Sequence, residues 1–248
     1  MTRSKSISRA VSFLLAFCLM VSAAFCIPFT KVSASTAPNV QLYYVQRGGP
    51  NRSSYENYTG YVAVKNLAYQ KNVTIHYTYG TNGNWADSSA TYVKADPNDP
   101  EYEIWQFEFQ MPGSAMIDSI PLTFAIQYQV NGQTYWDNNN GNNYSVSVTN
   151  PIVLGKSVLK TTSIFPSYKQ SIYLTNLAYE KDVKVRWTTD NGASYQEANA
   201  TYDSTLPNGV EKWDIPSGIT VGAKFVVSYT ANGITYNDNN FGNGYIYY

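Results

Sequence analysis

Three stretches between residues 73 and 130 alternate apolar and polar side chains with a period of two. Val73, Ile75 and Tyr77 alternate with Thr74, His76 and Thr78; Trp105, Phe107 and Phe109 make a second run, and Phe124, Ile126, Tyr128 and Val130 a third. Successive side chains of an extended chain point to opposite faces, so each run predicts a strand with one buried face. The register returns at Val183, Val185 and Trp187, with Lys184 and Arg186 outward, and again at Phe225, Val227 and Tyr229. Clusters such as Thr81-Asn82-Gly83-Asn84 and Asn131-Gly132 supply turns, because Asn and Gly tolerate the left-handed backbone that tight hairpins need. No stretch beyond the N-terminal segment carries the 3.6-residue stripe of an amphipathic helix. The pattern predicts an all-β chain of antiparallel β-sandwiches. Tyr77, Tyr128 and Tyr229 are expected in cores, as are Trp105 and Trp213, while His76 is expected on a solvated face.

The runs belong to an internal repeat. Asn66-Leu67-Ala68-Tyr69-Gln70-Lys71-Asn72-Val73 recurs as Asn176-Leu177-Ala178-Tyr179-Glu180-Lys181-Asp182-Val183. Thr91-Tyr92 recurs as Thr201-Tyr202, Trp105 as Trp213, and Asn131-Gly132 as Asn232-Gly233. A period near one hundred residues is too long for a solenoid unit. It predicts two tandem domains, residues 38–149 and 151–248, joined at Asn150-Pro151, the second shortened between Tyr202 and Phe225.

The N-terminus reads as a secretory signal over residues 1–34. Arg3, Lys5 and Arg9 precede an apolar run from Ala10 to about Phe29, and the small-residue site Val32-Ser33-Ala34 follows. Pro28 interrupts the run, which favours cleavage over a membrane anchor, so the expected location is extracellular. Both cysteines, Cys18 and Cys26, lie in this segment. The remainder would have no disulfide, cysteine nucleophile or thiolate metal ligand, and its core alone would hold it. Four of the 17 basic residues also lie in 1–34, leaving 13 against 17 acidic ones. A mildly acidic chain with 14% charged residues and a single histidine, His76, lacks the basic footprint of a nucleic-acid binder. It also lacks the histidines of metal or acid–base sites. Its polarity is neutral, carried by Asn, Thr, Ser, Gln and 23 Tyr.

The segment Tyr135-Trp136-Asp137-Asn138-Asn139-Asn140-Gly141-Asn142-Asn143-Tyr144 and its partner from Tyr236 to Tyr245 concentrate that polarity. An EF-hand loop starting at Asp137 would need Gly at its sixth place and Glu at its twelfth; Asn142 and Val148 stand there. Two readings remain open. Amides offer a donor and an acceptor to sugar hydroxyls, beside aromatic faces on which a pyranose can pack. Equally, a polar turn can use Asn for its own backbone.

The combination of Asn66-Leu67-Ala68-Tyr69-x-Lys71-x-Val73, Trp85, Trp105, Phe124-x-Ile126-x-Tyr128 and the Trp136-Asp137-Asn138-Asn139-Asn140 loop resembles carbohydrate-binding module family 21. The resemblance covers both repeats in order. It implies an immunoglobulin-like antiparallel sandwich for each repeat and non-catalytic binding of α-1,4-glucans such as starch, glycogen and maltooligosaccharides, with no cofactor or metal. Carried over, a first site would use Trp85, Trp136, Asn138 and Asn140, and a second Asn66, Tyr69, Lys71 and Tyr92. An aromatic that some members place after the strand's Phe is Ala125 here. In repeat two the second site keeps Asn176, Tyr179, Lys181 and Tyr202. The first site keeps Tyr195 and Asn239, but Asn237 replaces Trp136 and Phe241 replaces Asn140, with Phe241 expected as a displaced ring.

The expectation is a secreted, non-enzymatic tandem module for α-glucans, with no nucleic-acid partner and no membrane association after signal cleavage. A glycosidase needs two carboxylates across a cleft, and the acidic residue the repeats share in this region, Asp137 with Asp238, lies in the presumed binding loop. Two alternatives are an extracellular structural or protein-interaction module and a glycogen-targeting regulator of protein phosphatase 1. Lys184-Val185-Arg186-Trp187 resembles the phosphatase docking sequence, yet its alternation turns Val185 and Trp187 inward. Asn57-Tyr58-Thr59, Asn72-Val73-Thr74 and Asn199-Ala200-Thr201 are glycosylation acceptors if the source is eukaryotic.

Overall fold

Alternation becomes sheet in each of the predicted runs. The computed structural model describes residues 37–50, 55–80, 84–112, 121–164, 167 and 169–248; the signal reading and the turn at Thr81-Asn82-Gly83 fall outside them. In repeat one, β1 (Val40–Pro50), β2 (Tyr55–Lys65), β5 (Thr91–Ala95) and β6 (Tyr102–Pro112) form one sheet. The facing sheet holds β3 (Lys71–Tyr79), β4 (Ala86–Ser89), β7 (Leu122–Val130), β8 (Gln133–Asp137) and β9 (Tyr144–Val146). Every pairing is antiparallel. Val73, Ile75, Phe107, Phe109, Phe124, Ile126 and Tyr128 meet between the sheets, as the period of two requires. Gly60 of β2 sits beneath Phe107: a Cβ there would lie 2.1 Å from the Phe107 ring, so only glycine lets that ring reach the core.

After β10 (Ile152–Leu154), repeat two rebuilds the plan. One sheet orders β11 (Leu159–Ser163), β12 (Gln170–Thr175), β16 (Val210–Asp214) and β15 (Thr201–Thr205). The other orders β14 (Gln196–Asn199), β13 (Lys181–Thr188), β17 (Lys224–Ala231) and β18 (Ile234–Asp238), with β19 (Tyr245–Ile246) also on β17. Val185, Trp187, Phe225, Val227 and Tyr229 fill its core. The only helix among the described residues is a single 3-10 turn at Asn240–Gly242, far too short to cross a membrane.

Residues 38–248 form one compact unit, because two devices join the repeats. β10 follows the junction in sequence yet pairs with β1, as in Tyr44↔Leu154 and Gln46↔Ile152. Strand exchange thus gives the first sheet an edge strand from the second repeat's stretch. Phe241 is the other device. Instead of standing free as a displaced ring, it packs 5.7 Å from Tyr43 and 5.3 Å from Tyr61, ring centre to ring centre. Lys94 donates to its carbonyl at 2.6 Å. A ring carrying no polar group buries its face wherever a matching apolar surface is in reach, and Tyr43 and Tyr61 offer that surface. Lys156 adds an ion pair with Asp99 at 2.7 Å and lies over the Tyr102 ring.

Candidate functional site

Each repeat carries a groove beside its Asn-Leu-Ala-Tyr turn. The turn is held from within: Tyr128, buried in the core, donates from its hydroxyl to the Lys65 carbonyl at 2.7 Å. In repeat two, Tyr229 donates to the Thr175 carbonyl at 3.0 Å and accepts from the Leu177 amide at 3.1 Å. The Asn-Gly turns, with φ of +51° and +71° at Asn131-Gly132 and +51° and +75° at Asn232-Gly233, close their hairpins as such pairs do. Asn232 also reaches the Leu177 carbonyl at 3.0 Å. The inward tyrosines therefore fix the place of the outward ones.

Tyr69 and Tyr179 are 96% and 95% exposed. Burying a large apolar side chain is worth about 1.5–3 kcal/mol, so two fully exposed rings in the same motif are available for a partner. Lys71 donates to Asn66 at 2.7 Å and to Glu103 at 2.8 Å; Lys181 donates to Asn176 at 2.6 Å and to Glu211 at 2.7 Å. These lysines are ties in the groove wall. Tyr92 stands edge-on to Trp105 at 6.0 Å, and Tyr202 edge-on to Trp213 at 5.8 Å. Alternation had assigned both tryptophans to the core; they are half-buried, and Trp105 lines the groove floor. Their Nε1 groups donate to Glu103 at 3.2 Å and Glu211 at 3.0 Å. The two glutamates were not singled out in the sequence, although Glu-x-Trp recurs there in both repeats. The first groove measures about 1190 Å³ and the second about 640 Å³.

The Asn-rich loop bulges between two strands that share an edge of β7. Asp137 pins it, accepting from the Leu42 amide and the Tyr144 hydroxyl, each at 2.7 Å. Asp238 does the same for repeat two, accepting from the Thr161 amide at 2.5 Å and the Tyr245 hydroxyl at 2.7 Å. Both aspartates are therefore committed to loop placement. Burial, reinforced by Asp137 beside Tyr144 and Asp238 beside Tyr245, raises both phenols far above their ordinary value, so they remain donors. Asn139, Asn140 and Asn143 take φ of +52° to +56°, a conformation Asn tolerates. Asn138 accepts from the Gly141 amide at 3.0 Å and stays exposed, as does Asn140. Asn residues thus serve the loop's own backbone, while Asn138 and Asn140 remain exposed to solvent.

Trp85 and Trp136 are partly exposed and come together around His76. The imidazole stacks on Trp85 at 4.7 Å with a tilt of 9°, and meets Trp136 edge-on at 6.2 Å. His76 keeps the outward, partly exposed place expected of it, and there its ring contacts both indoles. In repeat two, Tyr195 is exposed with the Arg186 guanidinium 4.1 Å from its ring centre. Asn237 and Asn239 are drawn towards the junction, bordering small cavities beside Tyr43 and Asn98. Asn239 already accepts from the Gly242 amide at 2.9 Å. The second platform is therefore a lone ring, and its loop faces the first repeat. Among the described residues, no group of three His, Cys, Asp or Glu is placed to hold a metal ion.

The family model for the carbohydrate/starch-binding module (family 21) matches residues 35–147 and 149–247. Glucoamylase 1 of Rhizopus oryzae is 37% identical over 147 residues, which are 57% of this chain and 21% of that protein. Protein phosphatase 1 regulatory subunit 3B of Danio rerio is 34% identical over 116 residues, 45% of this chain and 37% of that protein. The chain thus spans well under half the length of either relative. The starch-binding domain of the Rhizopus oryzae glucoamylase, solved in complex with beta-cyclodextrin and maltoheptaose, is 34% identical. It covers 46% of this chain and 98% of its own at a TM-score of 0.34. The carbohydrate-binding module of the muscle glycogen-targeting subunit of protein phosphatase 1 is 23% identical at a TM-score of 0.34 over 45% of this chain and 77% of its own. With one matched segment on each repeat and the two together covering most of the sequence, the chain belongs to the carbohydrate/starch-binding modules of family 21.

Proposed function

We propose that the protein is a secreted, non-catalytic tandem module that binds α-1,4-glucans of the starch and glycogen class. The observation that carries this reading is the duplicated groove, where an exposed tyrosine stands beside a Lys–Asn–Glu tie and a tyrosine–tryptophan wall. Trp85 and Trp136 add a platform in repeat one. Glucosyl rings stack their C–H faces on Tyr69, Tyr179 and Trp85, while Asn66, Asn176, Asn138 and Asn140 meet hydroxyl groups. Two grooves on one body make the second contact intramolecular and raise avidity for polymers that reach both.

Retention on insoluble starch tests the proposal. The intact protein sediments with the granules, and the combined variant Trp85→Ala, Tyr69→Ala, Tyr179→Ala stays in solution. An intact protein that fails to sediment, or a triple variant retained equally, refutes it. A reducing-sugar assay with pure protein on soluble starch should show no turnover; turnover would overturn the non-catalytic part. The phosphatase-regulator reading stands as the alternative, supported by the similarity to protein phosphatase 1 regulatory subunits; the docking-like segment adds nothing to it, because Val185 and Trp187 are buried in β13.

A further inference from the structure

We infer that His76 is a positioning residue of the Trp85–Trp136 platform: it covers one face of the Trp85 indole and holds that ring so that only the opposite face meets a sugar. Arg186 plays the same part for Tyr195. The inference deepens the glucan-binding reading and rests on it.

The geometry begins with strand register. His76 lies on β3 directly opposite Asp87 of β4 on one side and Ala125 of β7 on the other. Asp87 Oδ1 is 2.6 Å from His76 Nδ1, which fixes the plane of the imidazole. Trp85 immediately precedes β4, so the same strand that carries the Asp87 tie delivers the indole onto the imidazole face. The 4.7 Å separation and 9° tilt leave no room for a second ring between them. Trp136 reaches the imidazole edge from β8, across β7. On β7, His76 lies opposite Ala125 and Trp136 opposite Gln127, so the two rings approach diagonally across that strand.

Near-parallel stacking on Trp85 and edge-on contact with Trp136 set the two indoles close to perpendicular. Two rings at that angle suit successive glucosyl units of a curved chain and not the coplanar faces of a flat one. Repeat two gives an independent instance of the backing group. Arg186 occupies the register position of His76, opposite Glu197 of β14 and Val226 of β17, and lies over Tyr195 at 4.1 Å. Two different planar, nitrogen-bearing side chains therefore do the same thing to two different rings. Holding a ring in its bound orientation removes an ordering cost from association.

The test uses the full chain carrying Tyr69→Ala and Tyr179→Ala, which leaves the platform rings as the main stacking surfaces, titrated with maltoheptaose by tryptophan fluorescence. This background must bind; if it does not, the glucan reading of the platform fails and not the role of His76. Given binding, His76→Ala and His76→Gln weaken it by about five- to tenfold, the factor expected for one lost ring pair. His76→Arg, which copies repeat two, restores affinity to within about twofold of the background, as a stacked guanidinium can replace the imidazole. A merely structural role would not distinguish Gln from Arg at a partly exposed position. Undiminished binding by His76→Gln, or a loss in His76→Arg as large as in His76→Gln, overturns the inference.

Discussion

Replacing Phe241 with alanine should weaken the coupling between the two repeats, leaving the β1–β10 pairing and the Lys156–Asp99 ion pair to join them. The ring is half-buried between Tyr43 and Tyr61, and it joins a small cluster with Ala63, Tyr102 and Ile104 of repeat one. Truncating a fully buried Phe costs about 3–5 kcal/mol; a half-buried ring retains part of that, so the expected loss is about 2 kcal/mol. The left-handed backbone at Phe241, φ +54°, is equally unfavourable for alanine and does not change the estimate. Lys94 binds the backbone carbonyl and keeps its acceptor. For a unit of this size a loss of 1 kcal/mol lowers Tm by about 2–4 °C, which gives about 4–8 °C. Differential scanning calorimetry reads both the shift and its form. If Phe241 couples the repeats, the variant's endotherm broadens or divides, because each sandwich then melts on its own. Tyr61→Ala should lower Tm similarly, and the double variant should fall short of the sum, since both substitutions empty one contact. A single unshifted transition in Phe241→Ala would refute the argument that this ring joins the repeats.

The buried Lys181–Glu211 pair predicts that Lys181→Met lowers stability by about 3–5 kcal/mol by leaving a buried carboxylate unpaired; adding Glu211→Leu should recover most of it in chemical denaturation. Lys160 is buried between the Tyr44 and Tyr245 rings, and desolvation lowers its pKa against a smaller upward pull from Asp238. A lysine whose native value is depressed weakens the fold below that value and ceases to do so as pH rises through it. Lys160→Met should therefore raise Tm at neutral pH, and the gain should shrink as pH climbs towards the ordinary lysine value of 10.5. Gly60→Ala drives a methyl into the Phe107 ring and should destabilise the first sandwich by about 1–3 kcal/mol, seen as a lower onset of unfolding. Binding to neutral glucan should change little between low and molar salt, because no ion pair with the ligand is there to be screened.

The strands and the repeat were legible because each rests on local physics. Alternation at Val73-Ile75-Tyr77 and Phe124-Ile126-Tyr128 assigns a buried face whatever lies beyond it, and Asn131-Gly132 encodes its own turn. Tyr69 and Tyr179 were legible because a duplicated Asn-Leu-Ala-Tyr motif set them apart. What stayed hidden depends on partners remote in the chain. The substitution of Phe241 for Asn140 was visible, but its partners Tyr43 and Tyr61 belong to the opposite repeat, and no local pattern predicts a contact across a junction. β10 is equally silent: Ile152-Val153-Leu154 reads as apolar without saying whose sheet it joins. His76 and Trp105 show the limit of alternation itself. It sorts side chains into inward and outward, yet an outward position in the middle of a sheet can stack on a loop ring, and an inward one beside a groove can be half open.

One loop architecture serves two ends in this chain, and the pinning aspartates explain how. Asp137 with Tyr144, and Asp238 with Tyr245, hold each loop to the amide of its own sandwich's first strand. The loop's frame is therefore fixed before its tip is specified. With Asn140 at the tip, the loop of repeat one stays polar and open beside Trp136. With Phe241 there, and Asn237 in place of the tryptophan, the loop of repeat two closes on repeat one. The exchange replaces an exposed indole with an amide and ties the second loop to repeat one. On the proposed glucan-binding reading, a tied pair of modules favours chains that reach Tyr69 and Tyr179 at once, where a flexible pair would adapt its spacing. If the two grooves bind glucan as proposed, loosening the junction through Phe241→Ala should lower affinity for long glucans and leave that for a short maltooligosaccharide nearly unaffected. Equal affinity of the variant and the intact protein for a long glucan would show that the spacing plays no part in selecting it.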